Sequence, residues 1–391
     1  MKKILYVNDH LQGGGTEIFT KQLAQAFLEM GFETFLATGD GNGNQIHAFK
    51  GLGFFLLRRT IFQNHDPLAE RSFRHIVEKG KPDLIHTLNL YRISLSPVIV
   101  AAKLTIPCLM TICDYWPVCL NRGLLNPDSA EGKLCVDRSW KRCVGDCKHR
   151  KVGRFLSPFI ERGMKHRVEI LNNLIGEERV KILATSKAVA DALGSFGLNR
   201  AMIDVIIPGV DPTLFRPGSK NREKIALFVG RPDPLKGPHI FSRIAQIVKA
   251  KIPDARFVAI GGYIPNSHVE SLGKVDFDTL LSLYQSASCL CVPSIWPEPL
   301  GAIALEAMSC STPVVAHRLG GLVETIVDGK TGFLVESGDI NGFADKVSFL
   351  LQNQEERLKM GLMGRRRIEE KFDIKDTFKS YLAMYKRIAR P

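Results

Sequence analysis

A chain of 391 residues is long enough for two domains of ordinary size, each with its own hydrophobic core. Its composition, 45% hydrophobic and 24% charged, is typical of a soluble globular protein, and since no run of 18 apolar residues occurs we expect no transmembrane helix. The formal net charge of +13 would suit nucleic acid, but no RNA- or DNA-binding motif accompanies it, so we expect no nucleic-acid partner.

The amino terminus predicts a buried strand and not a secretion signal. Lys2 and Lys3 resemble the start of a signal peptide, but the apolar run from Ile4 to Val7 has only four residues and is interrupted at Asn8. We therefore expect a cytoplasmic protein.

The first half predicts a parallel sheet that is covered by helices on both faces. Short strand-like runs alternate with helical segments and lie at residues 3–7, 32–38, 54–57, 83–88 and 108–113. A helix is predicted from Thr16 to Met30, because apolar residues recur there at helical spacing and Gly31 suits a C-terminal cap. His86, after a buried strand, could contact substrate or could be a hydrogen-bonded core histidine. Ser186 is predicted to be a helix N-cap.

Three glycines, Gly13, Gly14 and Gly15, lie between the first strand and its helix. Glycine lets the backbone approach a phosphate closely, and a helix N-terminus favours negative charge. The pattern is not GxGxxG, so a simple flexible turn is the alternative interpretation. Glu17 falls in the first helical turn, where stabilisation of the helix dipole explains it equally well.

A basic segment with four cysteines is predicted as an insertion at about residues 115–167. Between Lys133 and Arg167 there are eleven Lys or Arg against three acids, which would suit an anionic membrane surface at the inner face of the membrane, a phosphorylated acceptor or merely solvent. The four cysteines could bind a structural zinc, stay as free thiols or form a strained pairing: Cys119, Cys135, Cys143 and Cys147. The other five are expected to be small core residues: Cys108, Cys113, Cys289, Cys291 and Cys310.

The second half repeats the strand-helix plan after a turn-rich hinge at residues 206–220. Strands are predicted at residues 224–230, 256–262, 288–293 and 312–317, with helices at 239–251 and 300–310. The last helix, residues 375–390, has one apolar stripe that predicts core contact with the first domain: Phe378, Tyr381, Leu382, Tyr385 and Ile388. We predict an α/β protein of two doubly wound parallel sheets facing across a cleft, with the ligand at the carboxyl ends of their strands.

Two cations, Arg231 and Lys236, follow the first strand of the second half in a loop that precedes a helix. Two positive side chains at this spacing can hold both phosphates of a departing diphosphate. The alternative interpretation is an exposed basic loop.

Two glutamates, Glu298 and Glu306, are separated by seven residues in a segment that ends at Gly320 and Gly321. Glu298 lies in a Pro-bracketed loop, and Glu306 lies in the second turn of a helix that starts near Leu300. Two carboxylates at a helix N-terminus can bind hydroxyls, and the N–H groups there suit phosphate, so the segment indicates a nucleotide-sugar. The alternative is a surface carboxylate plus a helix ion pair.

These motifs resemble the nucleotide-sugar-dependent retaining glycosyltransferases of GT-B family 4, over nearly the whole chain. The resemblance is carried by the Gly-Gly-x-Glu loop, by FVGR…KG and by EPLGAIALEAMSC followed by TPVVA and GG. It implies two Rossmann-like domains: residues 1–207 for the acceptor and 208–373 for the donor, with 374–391 packing back toward the first domain.

The resemblance also implies roles for individual residues. Arg231 and Lys236 would bind the donor diphosphate, Glu298 the sugar hydroxyls and Glu306 the ribose. The backbone of Leu300 and Gly301 would also bind phosphate, as would that of Gly14 and Gly15 in the first domain. The base would lie against the backbone of Lys274 and Val275. It further implies a UDP- or GDP-sugar donor, a glycan, lipid-linked or small acceptor, retention of anomeric configuration and no metal cofactor.

One departure concerns the segment TICDYWPVC, which resembles a subgroup with an HDYW-type motif and a cysteine-bearing insertion. Cys113 stands where that subgroup has a histidine beside the donor sugar, and a thiol is a poor hydrogen-bond donor. We favour an active transferase of polysaccharide or cell-envelope biosynthesis. The alternatives are a weak or inactive nucleotide-sugar-binding subunit and another GT-B enzyme such as a sugar-nucleotide epimerase.

Overall fold

The computed structural model describes residues 1–10, 14–39, 46–48, 64–91, 93–119, 123–124, 135, 140, 157–218 and 223–389. The chain forms two compact units. The first unit contains the described residues up to Ile206 and those from Phe378 onward, and the second unit contains Ile207–Thr377. Among the described residues, no helix has the length and hydrophobicity that crossing a bilayer would require.

The first unit is built on a seven-stranded parallel sheet in the order β3-β2-β1-β4-β5-β6-β7. Its strands are β1 (Lys3–Asn8), β2 (Glu33–Thr38), β3 (Ile46–Ala48), β4 (Leu84–Thr87), β5 (Cys108–Ile112), β6 (Val180–Ala184) and β7 (Ile203–Val205). Its helices are α1 (Gly15–Glu29), α2 (Pro67–Gly80), α3 (Ser96–Lys103), α4 (Ser157–Gly176) and α5 (Lys187–Ser195). The strand predicted at residues 54–57 lies outside the described residues.

Two predicted helix ends in the first unit have clear chemical causes. The Ser186 hydroxyl accepts a hydrogen bond from the backbone N–H of Val189 and caps α5, as predicted. Gly31, which follows α1, has a φ of 88°, in the left-handed region that glycine adopts without a steric penalty.

The second unit is built on a six-stranded parallel sheet in the order β10-β9-β8-β11-β12-β13. Its strands are β8 (Ile225–Val229), β9 (Arg256–Ile260), β10 (Glu270–Gly273), β11 (Cys289–Val292), β12 (Val314–His317) and β13 (Gly332–Val335). Its helices are α6 (Pro238–Lys251), α7 (Phe277–Ser286), α8 (Ala302–Ser309), α9 (Leu322–Thr325), α10 (Ile340–Gln352) and α11 (Gln354–Lys371). The next helix, α12 (Ile374–Ile388), belongs to the first unit from Phe378 onward.

Strand β8 shows why the second sheet is covered on both faces. Ile225 and Leu227 pack in one core with α8, whereas Ala226 and Phe228 pack in another with α6 and α10. Side chains alternate across a strand, so a strand that is apolar at every position must be buried on both sides. The predicted α/β fold of two doubly wound parallel sheets is confirmed.

The last helix, α12, contributes its apolar stripe to the core of the first unit. Tyr381 and Tyr385 are completely buried there, in contact with the cluster that contains Ile4 and Phe27. Phe378, Leu382 and Ile388 are half-buried against the same cluster.

Candidate functional site

The candidate site lies at the carboxyl edge of the second sheet. All six strands are parallel, so the loops that follow them emerge at one edge. The chain runs from β8 outward to β10, and then returns to the other side of β8 to form β11, β12 and β13. The reversal of strand order between β8 and β11 is where doubly wound sheets bind ligands. Lys236 follows β8 and Glu298 follows β11.

Lys236 and Glu298 form an ion pair across 62 residues of sequence. The Lys236 Nζ lies 2.8 Å from Glu298 Oε1 and 3.0 Å from Oε2. The Lys236 side chain is half-buried, with 23% of its surface exposed, whereas the Glu298 side chain keeps only 6%. A carboxylate removed from water to this degree requires a compensating charge and several hydrogen-bond donors.

The loops that carry this pair are pressed against each other. The backbone N–H of Ile295 donates to the carbonyl of Leu235 at 2.9 Å. Gly237 has a φ of 74°, and a Cβ at this position would lie 2.0 Å from the Pro293 carbonyl oxygen. Only glycine satisfies both conditions, so the residue after Lys236 fixes how closely the lysine approaches the loop of Glu298.

Three donors surround one oxygen of the Glu298 carboxylate. Besides Lys236, Oε1 accepts hydrogen bonds from the Ser294 hydroxyl at 2.6 Å and from the Trp296 indole N–H at 2.9 Å. The Lys236 ammonium also lies 5.0 Å from the centre of the Trp296 ring, within cation–π range. Our sequence interpretation missed Ser294 and Trp296, although both lie in the loop of Glu298.

The Gly320-Gly321 pair closes on the backbone of Glu298. The N–H of Gly321 donates to the Glu298 carbonyl at 2.6 Å. A Cβ on Gly320 would lie 2.3 Å from that same carbonyl oxygen. The two glycines, which have no side chains, therefore pack directly against the Glu298 backbone and hold it in place.

Glu306 lies in the second turn of α8, as predicted, and receives a hydrogen bond from the Tyr284 hydroxyl at 2.8 Å. The residue is half-buried, but its carboxyl group is enclosed, and this enclosure raises the pKa of Glu306 to about 7. The hydrogen bond from Tyr284 opposes the rise. At neutral pH the carboxyl therefore exists in both protonation states and can accept or donate a hydrogen bond. Sequence reasoning missed Tyr284, which is 22 residues away.

The remaining predicted donor-site residues lie at the same sheet edge. Arg231 is exposed after β8 and forms no ion pair with any residue that the structure describes. Lys274 is exposed after β10, while Val275 and Leu300 pack partly against the core. Gly301 directly precedes α8.

The predicted glycine loop belongs to the first unit, where Gly14 and Gly15 begin α1 and Gly13 lies outside the described residues. Glu17 in the first turn is buried, and its Oε1 lies 3.4 Å from His10 Nε2. His10 is also hydrogen-bonded through Nδ1 to Asp9, which follows β1. The sequence analysis singled out neither His10 nor Asp9.

Cys113 lies beside this loop, with its thiol hydrogen-bonded to Thr16. Burial, aided by the nearby negative charge of Asp114, raises the pKa of Cys113 to about 12. The thiol is therefore neutral at physiological pH.

His86 is a core histidine and not a substrate contact. It is completely buried, and its ring nitrogens lie 2.6 Å from the Tyr385 hydroxyl and 2.7 Å from the Thr111 hydroxyl. Burial lowers the pKa of His86 to about 3, so the ring is neutral.

The proposed zinc ligands are only partly described. Cys119 and Cys135 are half-buried, whereas Cys143 and Cys147 lie outside the described residues, as does most of the basic segment. Of the five cysteines predicted to be core residues, Cys113 is only half-buried, and the other four are buried: Cys108, Cys289, Cys291 and Cys310.

Comparison with solved structures gives several matches over nearly the whole chain. Sucrose-phosphate synthase from Thermosynechococcus elongatus matches with a TM-score of 0.73 and 21% identity, covering 99% of both chains. HepE from Anabaena, solved with UDP and glucose, matches with a TM-score of 0.70 and 16% identity, covering 99% of this chain and all of that one. At these identities the matches show the GT-B fold.

Curated relatives are more similar in sequence over shorter stretches. The D-inositol 3-phosphate glycosyltransferase of Mycolicibacterium smegmatis is 35% identical over 214 residues, 46% of this chain and 48% of the relative. The enzyme of the same name from Kribbella flavida is 33% identical over 226 residues, 48% of this chain and 53% of the relative. The chain thus spans about half the length of the curated relatives it matches.

Two family models cover almost the whole chain. Residues 211–367 match the family described as glycosyl transferases group 1, and residues 13–214, more than half of the chain, match glycosyltransferase family 4. On this evidence the chain belongs to glycosyltransferase family 4.

Proposed function

We propose that this protein transfers a sugar from a UDP- or GDP-sugar to a hydroxyl of a glycan, a glycolipid or a small acceptor. The observation that carries the proposal is the Lys236–Glu298 ion pair at the reversal of strand order in the second sheet. A cation and a buried carboxylate in contact provide one group for phosphate and one for sugar hydroxyls within a single site.

The diphosphate of the donor binds to Lys236 and Arg231. Lys236 keeps 23% of its side-chain surface exposed and Arg231 is exposed, so both can turn toward a ligand at the sheet edge. The backbone N–H groups at the start of α8, at Leu300 and Gly301, add neutral donors for phosphate oxygens. These groups stabilise the charge that develops on the leaving diphosphate.

The two carboxylates bind the two sugar rings of the donor. Glu298 accepts hydrogen bonds from hydroxyls of the transferred sugar, and Glu306 accepts them from the ribose. The base lies against the backbone at Lys274 and Val275, at the end of the outermost strand β10. The structure of HepE in complex with UDP and glucose supports a uridine nucleotide as one donor class.

The reaction is retaining and requires no metal. The bond between the anomeric carbon and the diphosphate oxygen breaks, and its electron pair leaves with the diphosphate toward Arg231 and Lys236. The acceptor oxygen forms its bond to the same carbon on the same face, while its proton passes to the departing phosphate oxygen. The two cations supply the charge neutralisation, so we expect transfer to continue unchanged in excess EDTA.

Binding and transfer assays test this function directly. A thermal-shift screen against UDP, GDP, ADP and their sugars identifies the donor, since a ligand that binds the folded state raises the unfolding midpoint. Lys236→Ala and Glu298→Ala should each abolish transfer while the protein stays folded. Lys224→Ala is the matched control, because Lys224 forms an exposed ion pair with Asp254 at 2.7 Å in the same unit. Undiminished turnover in both site variants would refute the assigned roles.

A second candidate function is nucleotide-sugar binding without efficient catalysis. It is favoured by Cys113, a neutral thiol that stands where the related subgroup has a histidine. Donor consumption with a panel of acceptors, compared between the wild type and Cys113→His, separates the candidates. Activity that appears only in the histidine variant supports the binding function, whereas activity in the wild type supports the transferase.

A further inference from the structure

The two oxygens of the Glu298 carboxylate are in different environments. Oε1 accepts from Ser294 at 2.6 Å, from Lys236 at 2.8 Å and from Trp296 at 2.9 Å. Oε2 accepts only from Lys236, at 3.0 Å, among the residues that the structure describes. A carboxylate oxygen offers about two lone pairs, so Oε1 is saturated by the protein while Oε2 has capacity left.

The partners of Glu298 also differ in their freedom to move. The Lys236 side chain has 23% of its surface exposed and four rotatable bonds, so its ammonium can turn away. The Glu298 side chain, by contrast, has 6% exposed and lies between Pro297 and Pro299, with its carbonyl bound by Gly321. Of the two partners of this ion pair, the lysine therefore has the greater freedom to move.

The backbone of Ser294 is itself fixed by a hydrogen bond to a neighbouring strand. The completely buried His317, at the end of β12, has its Nδ1 3.0 Å from the Ser294 carbonyl oxygen. A carbonyl can only accept, so Nδ1 carries the proton and donates to it. This bond joins the loop after β11 to β12 and keeps the Ser294 hydroxyl directed at Oε1.

We propose that Ser294 and Trp296 are positioning residues that fix Oε1 of Glu298 to the protein, so that Oε2 is released to a hydroxyl of the donor sugar when Lys236 moves to the diphosphate. Without these two donors, a carboxylate that lost Lys236 would be free to rotate about its terminal torsion and would need to be ordered by the sugar itself. The inference rests on the proposed donor site and deepens it, because it assigns separate tasks to the two oxygens.

The test compares a bare nucleotide with its sugar. Trp296→Phe keeps an aromatic ring beside Lys236 but removes the N–H, and Ser294→Ala removes the hydroxyl. Calorimetry with UDP and UDP-glucose, and with GDP and GDP-mannose, should show about tenfold weaker binding of the nucleotide-sugar in each variant, because one bond to a charged group is lost. Affinity for the bare diphosphate should remain within about twofold of wild type.

Two matched controls separate this effect from a general loss of packing. Trp140→Phe also removes an indole N–H that is bound at 2.8 Å, to the Val118 carbonyl, but in the first unit. Ser288→Ala also removes a bound hydroxyl of the second unit, at 2.7 Å from the Glu223 carbonyl, but at the amino end of β11. Both controls should leave the affinities for nucleotide and nucleotide-sugar unchanged.

Tryptophan emission provides an independent readout of the lysine. UDP should change the emission of the wild type, because Lys236 leaves the Trp296 ring. The change should persist in Trp140→Phe and disappear in Trp296→Phe.

The outcomes are distinguishable. Unchanged affinities in Trp296→Phe and Ser294→Ala, or an equal loss for nucleotide and nucleotide-sugar, overturn the division between the two oxygens while the donor site stands. A wild type that binds none of these compounds overturns the proposed function and this inference together.

Discussion

Glu306→Gln should stabilise the protein at alkaline pH. Enclosure raises the pKa of Glu306 from 4.5 to about 7, so the folded state holds a proton that the unfolded state releases between these values. The contribution of Glu306 to the free energy of unfolding is therefore fully present below about pH 4.5 and is lost as the pH rises to about 7. At 1.36 kcal/mol for each pH unit, the loss reaches about 3 kcal/mol. Glutamine is neutral and can still accept the bond from Tyr284.

Urea unfolding of the wild type and Glu306→Gln at pH 4.5, 6, 7 and 8 measures this effect. The free energies of unfolding should coincide at about pH 4.5, and the variant should gain up to about 3 kcal/mol at pH 8. Glu369→Gln is the control, because Glu369 is an exposed helix residue paired with Arg365, where an ion pair contributes at most about 1 kcal/mol.

The same variant should lose nucleotide affinity, since an ionised Glu306 accepts hydrogen bonds from ribose hydroxyls. Wild-type binding at pH 6 should therefore release a proton, which appears as a dependence of the calorimetric heat on the ionisation enthalpy of the buffer. A constant stability difference between pH 4.5 and 8 would refute the assigned cause, and unchanged UDP affinity would refute the ribose contact.

Three further changes have defined outcomes. Tyr284→Phe removes the hydroxyl that favours the ionised form of Glu306, so the loss of stability should still begin at about pH 4.5 but should continue to a pH above about 7; an upper limit that stays or moves down contradicts this. Gly237→Ala forces a Cβ within 2.0 Å of the Pro293 carbonyl at a φ of 74° and should cost about 2 kcal/mol or more, with weaker nucleotide binding; an unaltered thermal midpoint would show that the loop relaxes. His86→Phe removes the short hydrogen bonds of the buried Tyr385 and Thr111 hydroxyls, leaves each with a longer contact of 3.4 Å (to Tyr6 and to Tyr381) and should cost about 1–3 kcal/mol while nucleotide affinity stays the same; reduced affinity would place His86 in the site after all.

Much of the second unit could be predicted from the sequence, because its signals are local. Strands β8 and β11 are apolar at every position, and β9 and β12 are apolar at all positions but one, while α6 has apolar residues at helical spacing after a proline. The sequence interpretation did not recognise β10 and β13. Strand β10 reads ESLG, with Glu270 exposed and no apolar run, and it becomes a strand by pairing with β9. Such pairing is a tertiary effect.

For the candidate site, too, some features could be predicted from the sequence and others depend on the folded structure. The residue types, their order and the family to which the chain belongs follow from the sequence, since the loops after strands of a parallel sheet must share an edge. The contact of Lys236 with Glu298 across 62 residues, the donors Ser294 and Trp296 on one oxygen and the raised pKa of Glu306 depend on the folded chain. Burial and hydrogen-bond geometry are properties of the assembled environment, and the sequence specifies them only through the fold.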